Sequence, residues 1–242
     1  HTRYLAVAFA EAAHGASLTW SEREVARVSA HYRADPPRSN RDPNFLTDGE
    51  LDGSPWFHAM RTCKHNACHV LGQAPAARSL HCDVHGMSDA SVPGVDCVFG
   101  TAAMEQHHGR QRAARFRDNL KRFVGDVLAT FPPTFEYRTL ATQEREVLAG
   151  AGGSTNAWTC CTDCPMFTGA AEQGRNTLSQ MSSDVALWNR NGGDEPFAFS
   201  VQIELSRSLR ELLRHPDNCE LLRAFAQALW KSVELLEGDD GD

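Results

Sequence analysis

Two apolar stretches each carry charged residues that a buried strand should exclude: Asp83-Val84-His85-Gly86 and Gln202-Ile203-Glu204-Leu205. A carboxylate taken out of water needs a hydrogen-bonded partner or a metal. A histidine at the end of a strand can present one neutral nitrogen to zinc while a nearby carboxylate holds its other ring N–H. Asp83 and His85 stand two residues apart, so in an extended segment both point to one face. Asp83 then becomes the neighbour that orients His85. Glu204 is the natural general acid or base, able to accept a proton from an attacking water and deliver it to a leaving nitrogen. Each residue also has a plainer reading: a strand-end histidine is often a satisfied structural group, and a lone strand glutamate an edge or surface charge. Spacing alone leaves both readings open.

Other chemistry-bearing residues carry less. Cys63 with Cys68 and His69, and the run Cys160-Cys161-Thr162-Asp163-Cys164, hold soft zinc ligands, but neither set has a second CxxC at ribbon spacing. Buried free thiols in a reducing intracellular compartment, cytoplasmic or an organellar matrix, are the expectation. His107-His108 reads as surface. His65 and His69 lie four apart on a helix but lack the glutamate of a zincin, so they read as exposed. The glycine turn at 150–153 lacks the Lys and Ser/Thr of a phosphate loop.

The elements that must position these residues follow from periodicity. Thr2 to His14 has apolar residues at helical spacing, with Gly15 where a left-handed cap would fall. Glu24–Ala30 reads as a strand, and 33–55 as a long Pro- and Asp-rich loop of the kind that carries function. Helices are expected over Trp56–Val70, Gln111–Phe131, Ser179–Asn189, Leu209–Leu213 and Glu220–Leu236. Strands are expected over Leu80–Val84 and Ala198–Leu205, and another short element over Leu140–Leu148. Alternation of strands and helices implies an α/β fold around a mixed, mainly parallel sheet. The 242 residues carry 24 Lys+Arg against 31 Asp+Glu, a formal charge of −7, which disfavours direct nucleic-acid readout. The basic face Arg110, Arg112, Arg115, Arg117, Lys121 and Arg122 is accordingly a solvated face or a partner contact. No apolar run approaches the roughly 20 residues that cross a bilayer, so no membrane partner is expected.

Taken in order, His81-Cys82-Asp83-Val84-His85-Gly86-Met87-Ser88-Asp89, Val95-Asp96-Cys97-Val98-Phe99-Gly100 and Ser200-Val201-Gln202-Ile203-Glu204-Leu205-Ser206-Arg207 resemble the N-formylglutamate amidohydrolase family. Upstream, Arg33, Asp35, Asn40, Arg41, Asp42 and Asn44 are similar to that family's D-x-N-R loop, and Trp56-Phe57-His58 to its Tyr-His helix start. The ordered set spans roughly residues 25 to 215. The resemblance implies a three-layer α/β/α, zinc carboxypeptidase-like fold with His85 as a zinc ligand and Glu204 as the catalytic carboxylate. It further implies that Arg41 with Asn40, or Arg33, clamps the carboxylate of a small acidic amide substrate. The reaction implied is hydrolysis of an amide-type C–N bond in an N-formylglutamate-like compound. The family's first metal segment, a His-Gly followed by an acidic ligand, has no match here, since His14-Gly15 reads as a helix end. Residues 1–236 are thus expected to form one domain short of that segment, followed by an acidic tail at 237–242. The alternative expectation is a catalytically degenerate member serving as a structural or interaction subunit of a larger assembly.

Overall fold

Along Phe199–Leu205 the pleat sorts side chains into two sets: Phe199, Val201, Ile203 and Leu205 enter the main apolar core, while Ser200, Gln202 and Glu204 point the other way. The computed structural model describes residues 2–19, 51, 54–70, 79–92, 94–131, 158–162, 178–192, 195–234 and 236. In chain order they form α1 (Thr2–Ala12), α2 (Pro55–Val70), β1 (Leu80–Gly86), β2 (Cys97–Gly100), α3 (Ala102–His108), α4 (Arg110–Ala129), β3 (Cys160–Thr162), α5 (Leu178–Ser183), α6 (Val185–Arg190), β4 (Phe199–Leu205), α7 (Arg207–Arg214), a short 3-10 turn (Pro216–Asn218) and α8 (Cys219–Glu234).

The four described strands make one open sheet in the order β1-β4-β2-β3. β1 runs parallel to β4 and β2 parallel to β3, while β2 and β4 are antiparallel, so the sheet is mixed and mostly parallel. Helices cover both faces. On one, α1, α4, α7 and α8 pack on Phe199, Val201, Ile203, Leu205, Cys97 and Phe99. Phe9 of α1 stacks on Phe225 of α8 at 5.3 Å, and Phe116 of α4 meets Phe199 at 5.4 Å. Asn119 of α4 donates to the carbonyl of Ser232 in α8. On the other face, Ser182 of α5 bonds Ser200, and beyond it α2, α5 and α6 bury Phe57, Met60, Met181, Leu187 and Trp188 together with Phe197. Lys64 enters this second core. Its Nζ donates to the carbonyls of Glu195 (2.6 Å) and Pro196 (2.8 Å) and lies over the rings of Trp188 and Phe197.

Several boundaries differ from the sequence reading. The strand expected over Leu80–Val84 runs on through His85 and Gly86, because β4 supplies hydrogen-bonding partners along its whole length. The helix expected over Ser179–Asn189 is two helices. Asp184 takes an extended conformation between them and its side chain caps the second by accepting from Leu187 N–H. At the end of α1 the left-handed residue is His14 (φ 53°), one position before Gly15. Cys97–Gly100 and Cys160–Thr162 are strands, where the sequence showed a short motif and a thiol cluster. His107 and His108 are half-buried rather than surface residues. Gly109, at φ 88° and ψ 154°, separates α3 from α4 in a conformation open mainly to glycine. The strand expected over 24–30, most of the loop over 33–55, the element over 140–148, the turn at 150–153 and the tail at 237–242 lie outside the described residues.

One end of the sheet is tied together by a buried aspartate. Asp96, 1% exposed, precedes β2, and its Oδ2 accepts from the N–H of Thr159 just before β3. The N–H groups of Asp96 and Cys97 donate back to Thr159 O, and Ser206 N–H, just after β4, donates to Asp96 O. Ser206 Oγ lies 3.4 Å from Asp96 Oδ1 and accepts from Leu209 N–H, capping α7. Asp89, in the turn after β1, completes that cap through Ser208 N–H and Oγ, both at 3.1 Å. Asp96→Ala removes the acceptor of the Thr159 N–H and the buried neighbour of Ser206 Oγ. Denaturant unfolding should show a loss of about 2–3 kcal/mol, and Asp96→Asn, which keeps one carbonyl acceptor, should lose less. Equal stability of Asp96→Ala and the parent chain would contradict this role.

Candidate functional site

The in-register pairing of β1 with β4 sets His81 beside Ser200, Asp83 beside Gln202 and His85 beside Glu204. All six point to the face opposite the main core. Two adjacent parallel strands therefore carry a polar double row that ends at their carboxyl termini, the end of an open α/β sheet where ligands bind.

The inner end of this row is satisfied internally. Ser182 Oγ donates to Ser200 Oγ (2.7 Å), and Ser200 Oγ in turn lies within hydrogen-bond distance of His81 Nδ1 at 3.2 Å. Burial depresses the His81 pKa, with Asp83 opposing and His85 adding to the effect, which favours the neutral imidazole.

The outer end is less fully satisfied. His85 Nε2 lies 2.9 Å from Asp83 Oδ1, and His85 Nδ1 lies 3.9 Å from Glu204 Oε1. Gln202 Nε2 donates to that same Glu204 oxygen at 2.8 Å. Asp83 is 7% exposed, and its Oδ2 is buried without a hydrogen-bond partner among the described residues. Glu204 is 5% exposed and sits on β4, an interior strand, which rules out the reading of an edge or surface charge. Burial pushes its carboxyl above the ordinary glutamate value. His85, the Gln202 amide and Arg210 pull it back, and Asp83 adds to the rise. Arg210, in the first turn of α7, sits at the same strand ends on the main-core face of the sheet. Its Nε and Nη2 donate to the carbonyls of Ser206 and Met87, and its guanidinium lies over Gly86.

Of the residues singled out from sequence, His85 and Glu204 are thus brought together, and Asp83 joins them on the expected face. Arg33, Asn40 and Arg41 lie outside the described residues. Arg207, which follows the β4 motif, is exposed and paired with Glu211 at 3.0 Å. Sequence reasoning missed Arg210, whose only signal was its position one helical turn from Ser206.

A catalytic zinc is held by three protein ligands plus water. His85 could supply one such ligand, with the Asp83 carboxylate 2.9 Å from its Nε2 but not aligned for a hydrogen bond with it. Among the described residues no group of three His, Cys, Asp or Glu side chains is arranged to hold a metal ion. Among the described residues, too, no helix is long and apolar enough to cross a membrane, and Cys63, Cys68, Cys82, Cys97, Cys160 and Cys219 form no disulfide. Burial pushes the Cys82 thiol up to about 12 and raises Cys97 as well, so both stay protonated and unreactive.

No family model, curated protein or solved structure matches the chain.

The Glu204 shift makes a signed prediction. A carboxyl whose folded pKa is raised adds stability that is fully present below the unfolded value and lost as pH rises through the folded one. Glu204→Gln has nothing to ionise and keeps the side-chain shape. The melting temperature of Glu204→Gln minus that of the parent should therefore grow as pH rises from about 4 to 7. A difference that stays constant across that range would contradict the buried, elevated carboxyl.

Proposed function

We propose that the chain is an amidohydrolase-like protein that hydrolyses the amide C–N bond of an acidic N-acyl amino acid of the N-formylglutamate type, on a zinc carboxypeptidase-like fold. The observation that supports this best is the register placing Asp83 and His85 on β1 beside Glu204 on β4, at the carboxyl end of both strands. In this reading His85 is a zinc ligand. Bound zinc would polarise the substrate carbonyl and lower the pKa of water. The order of motifs along the chain, ending in Gln202-Ile203-Glu204-Leu205, supports the same assignment.

The chain's own residues have separable tasks. Glu204 carries the proton, since burial brings its pKa toward the working range, where an acid–base group accepts and returns protons most effectively. Gln202 holds the Glu204 carboxylate by one oxygen and so fixes its orientation. Asp83 Oδ1 lies 2.9 Å from His85 Nε2 as a charge neighbour of the imidazole, whose Nδ1 faces Glu204 at 3.9 Å. The network of Asp96, Ser206 and Asp89 holds the ends of β1 and β4 at one level, so that this geometry is set before substrate arrives.

The test is formate release from N-formylglutamate by the chain supplied with zinc, measured beside Glu204→Gln. Parent turnover with a loss of about 10²- to 10⁴-fold in the variant, at unchanged circular dichroism, is the expected result. Equal turnover in the two would remove Glu204 from the chemistry. No turnover in the parent would overturn the enzymatic reading in favour of a non-catalytic interaction subunit.

A further inference from the structure

Among the cysteines, one pair is set side by side by the sheet. β2 and β3 are parallel, and their register makes Cys97 and Cys160 direct partners. Both point to the main core, where Cys97 is fully buried and Cys160, half-buried, packs beside it. The other described thiols stand outside this pairing. Cys161 lies on the opposite face, packed against Val98, and its thiol donates to the carbonyl of Thr162. Cys82 shares the core face, but β4 stands between β1 and β2. Cys63 and Cys68 belong to α2, and Cys219 begins α8.

The backbone brings a bond between Cys97 and Cys160 within reach. Adjacent strands run about 4.7–4.9 Å apart, inside the roughly 4.4–6.8 Å range of Cα separations that a disulfide bridges. Partnered side chains leave a sheet nearly parallel, so their Cβ atoms are about as far apart as the strands, whereas a disulfide draws them to about 3.8 Å. Such a bond is strained, and a strained disulfide is readily reduced again by thiols. The two thiols also differ in access. Solvent reaches Cys160 but not Cys97. Burial, and next the Cys160 thiol beside it, raise the Cys97 pKa, which keeps Cys97 inert toward reagents in solution. A mixed disulfide on Cys160 changes that balance. The neighbouring thiol is then converted, and the sulfur to be attacked is already held beside Cys97, so proximity offsets the small thiolate fraction. The position also bears on the fold. Cys97 follows Asp96 and Cys160 follows Thr159, the two residues joined through Asp96 Oδ2 and through the carbonyl of Thr159.

We propose that Cys97 and Cys160 form a reversible thiol–disulfide switch, oxidised by small-molecule disulfides, that clamps β3 to β2 beside Asp96. The Cys160 thiolate attacks one sulfur of the small disulfide and expels the other as a thiolate. Cys97, giving its proton to water, then attacks the Cys160 sulfur and expels the second. The two expelled thiolates take up the protons that Cys160 and Cys97 lose, so two protein thiols and one small disulfide become one protein disulfide and two small thiols. The bridged residues are far apart along the chain, and the loop so closed restricts the unfolded state by more than the strain costs. The switch stands apart from the amidohydrolase reading and survives if no hydrolysis is found.

The test is incubation of the full chain with oxidised glutathione, followed by mass-spectrometric peptide mapping without reduction, beside Cys160→Ser, Cys97→Ser and Cys97→Ala. In the parent the expected product is a linked pair of Cys97 and Cys160 peptides lacking two hydrogens, which dithiothreitol returns to two thiols. Its melting temperature rises on oxidation and falls back on reduction, a rise that Cys160→Ser treated in the same way does not show. Cys160→Ser leaves Cys97 unmodified. Cys97→Ser retains glutathione on Cys160, because the thiol that would expel it is gone, and Cys97→Ala gives the same product if the buried hydroxyl loosens the core. A parent chain in which Cys160 stays glutathionylated, links to Cys161 or Cys164 instead, or does not react overturns the proposal. So does an oxidised parent that melts no higher than the reduced one.

Discussion

The buried carboxylate of Asp96 is the constraint on which the rest of the structure depends. All four described strands have an end at this level of the sheet: the carboxyl ends of β1 and β4, and the amino ends of β2 and β3. Strand ends expose unpaired backbone groups, and in a buried setting each needs a partner. Asp96 gives its side chain to Thr159 and its carbonyl to Ser206, while Met87 N–H reaches Leu205 O. Two buried aspartates, Asp89 and Asp96, thus close the loops through hydrogen bonds to backbone and hydroxyl groups.

This closure explains how β1 and β4 can carry a polar double row without disordering the sheet. The opposite face of β4 is wholly apolar and packs on α1, α4 and α8, so a register slip of one residue would bury Ser200, Gln202 and Glu204 in that core. Register is therefore fixed by the apolar face and by the strand-end network together. The site inherits that precision. Glu204 and His85 lie 3.9 Å apart because their backbones are paired partners, and a Glu204 carboxyl kept partly dry by this packing is raised in pKa.

Parts of this arrangement were legible in the sequence. The alternation in Ala198–Leu205 announced β4 and the two-residue spacing of Asp83 and His85 announced their common face, because both depend only on the pleat. The long amphipathic helix near 111–131 and the closing helix near 220–236 were legible for the same reason, although the helices end at Ala129 and Glu234, two residues short of the expected ends. β2 and β3 were not, since strands of four and three residues are too short to show a period. Asp89 and Asp96 appeared as motif residues with no visible task, because capping across more than a hundred residues leaves no local trace. Lys64 was invisible as a core residue, since lysine is seldom buried and its carbonyl partners lie more than 130 residues away. The expected clamp of Arg33, Asn40 and Arg41 and the zinc site stand as proposals.

The central claim is that Glu204, raised in pKa by burial beside His85, carries the proton in an amide hydrolysis. The most direct measurement is the pH profile of kcat/KM for N-formylglutamate hydrolysis. The account predicts an acid limb that rises with pH through a titration above the ordinary glutamate range, as Glu204 ionises to accept a proton from water. A profile with no limb between the ordinary glutamate range and neutrality would contradict it.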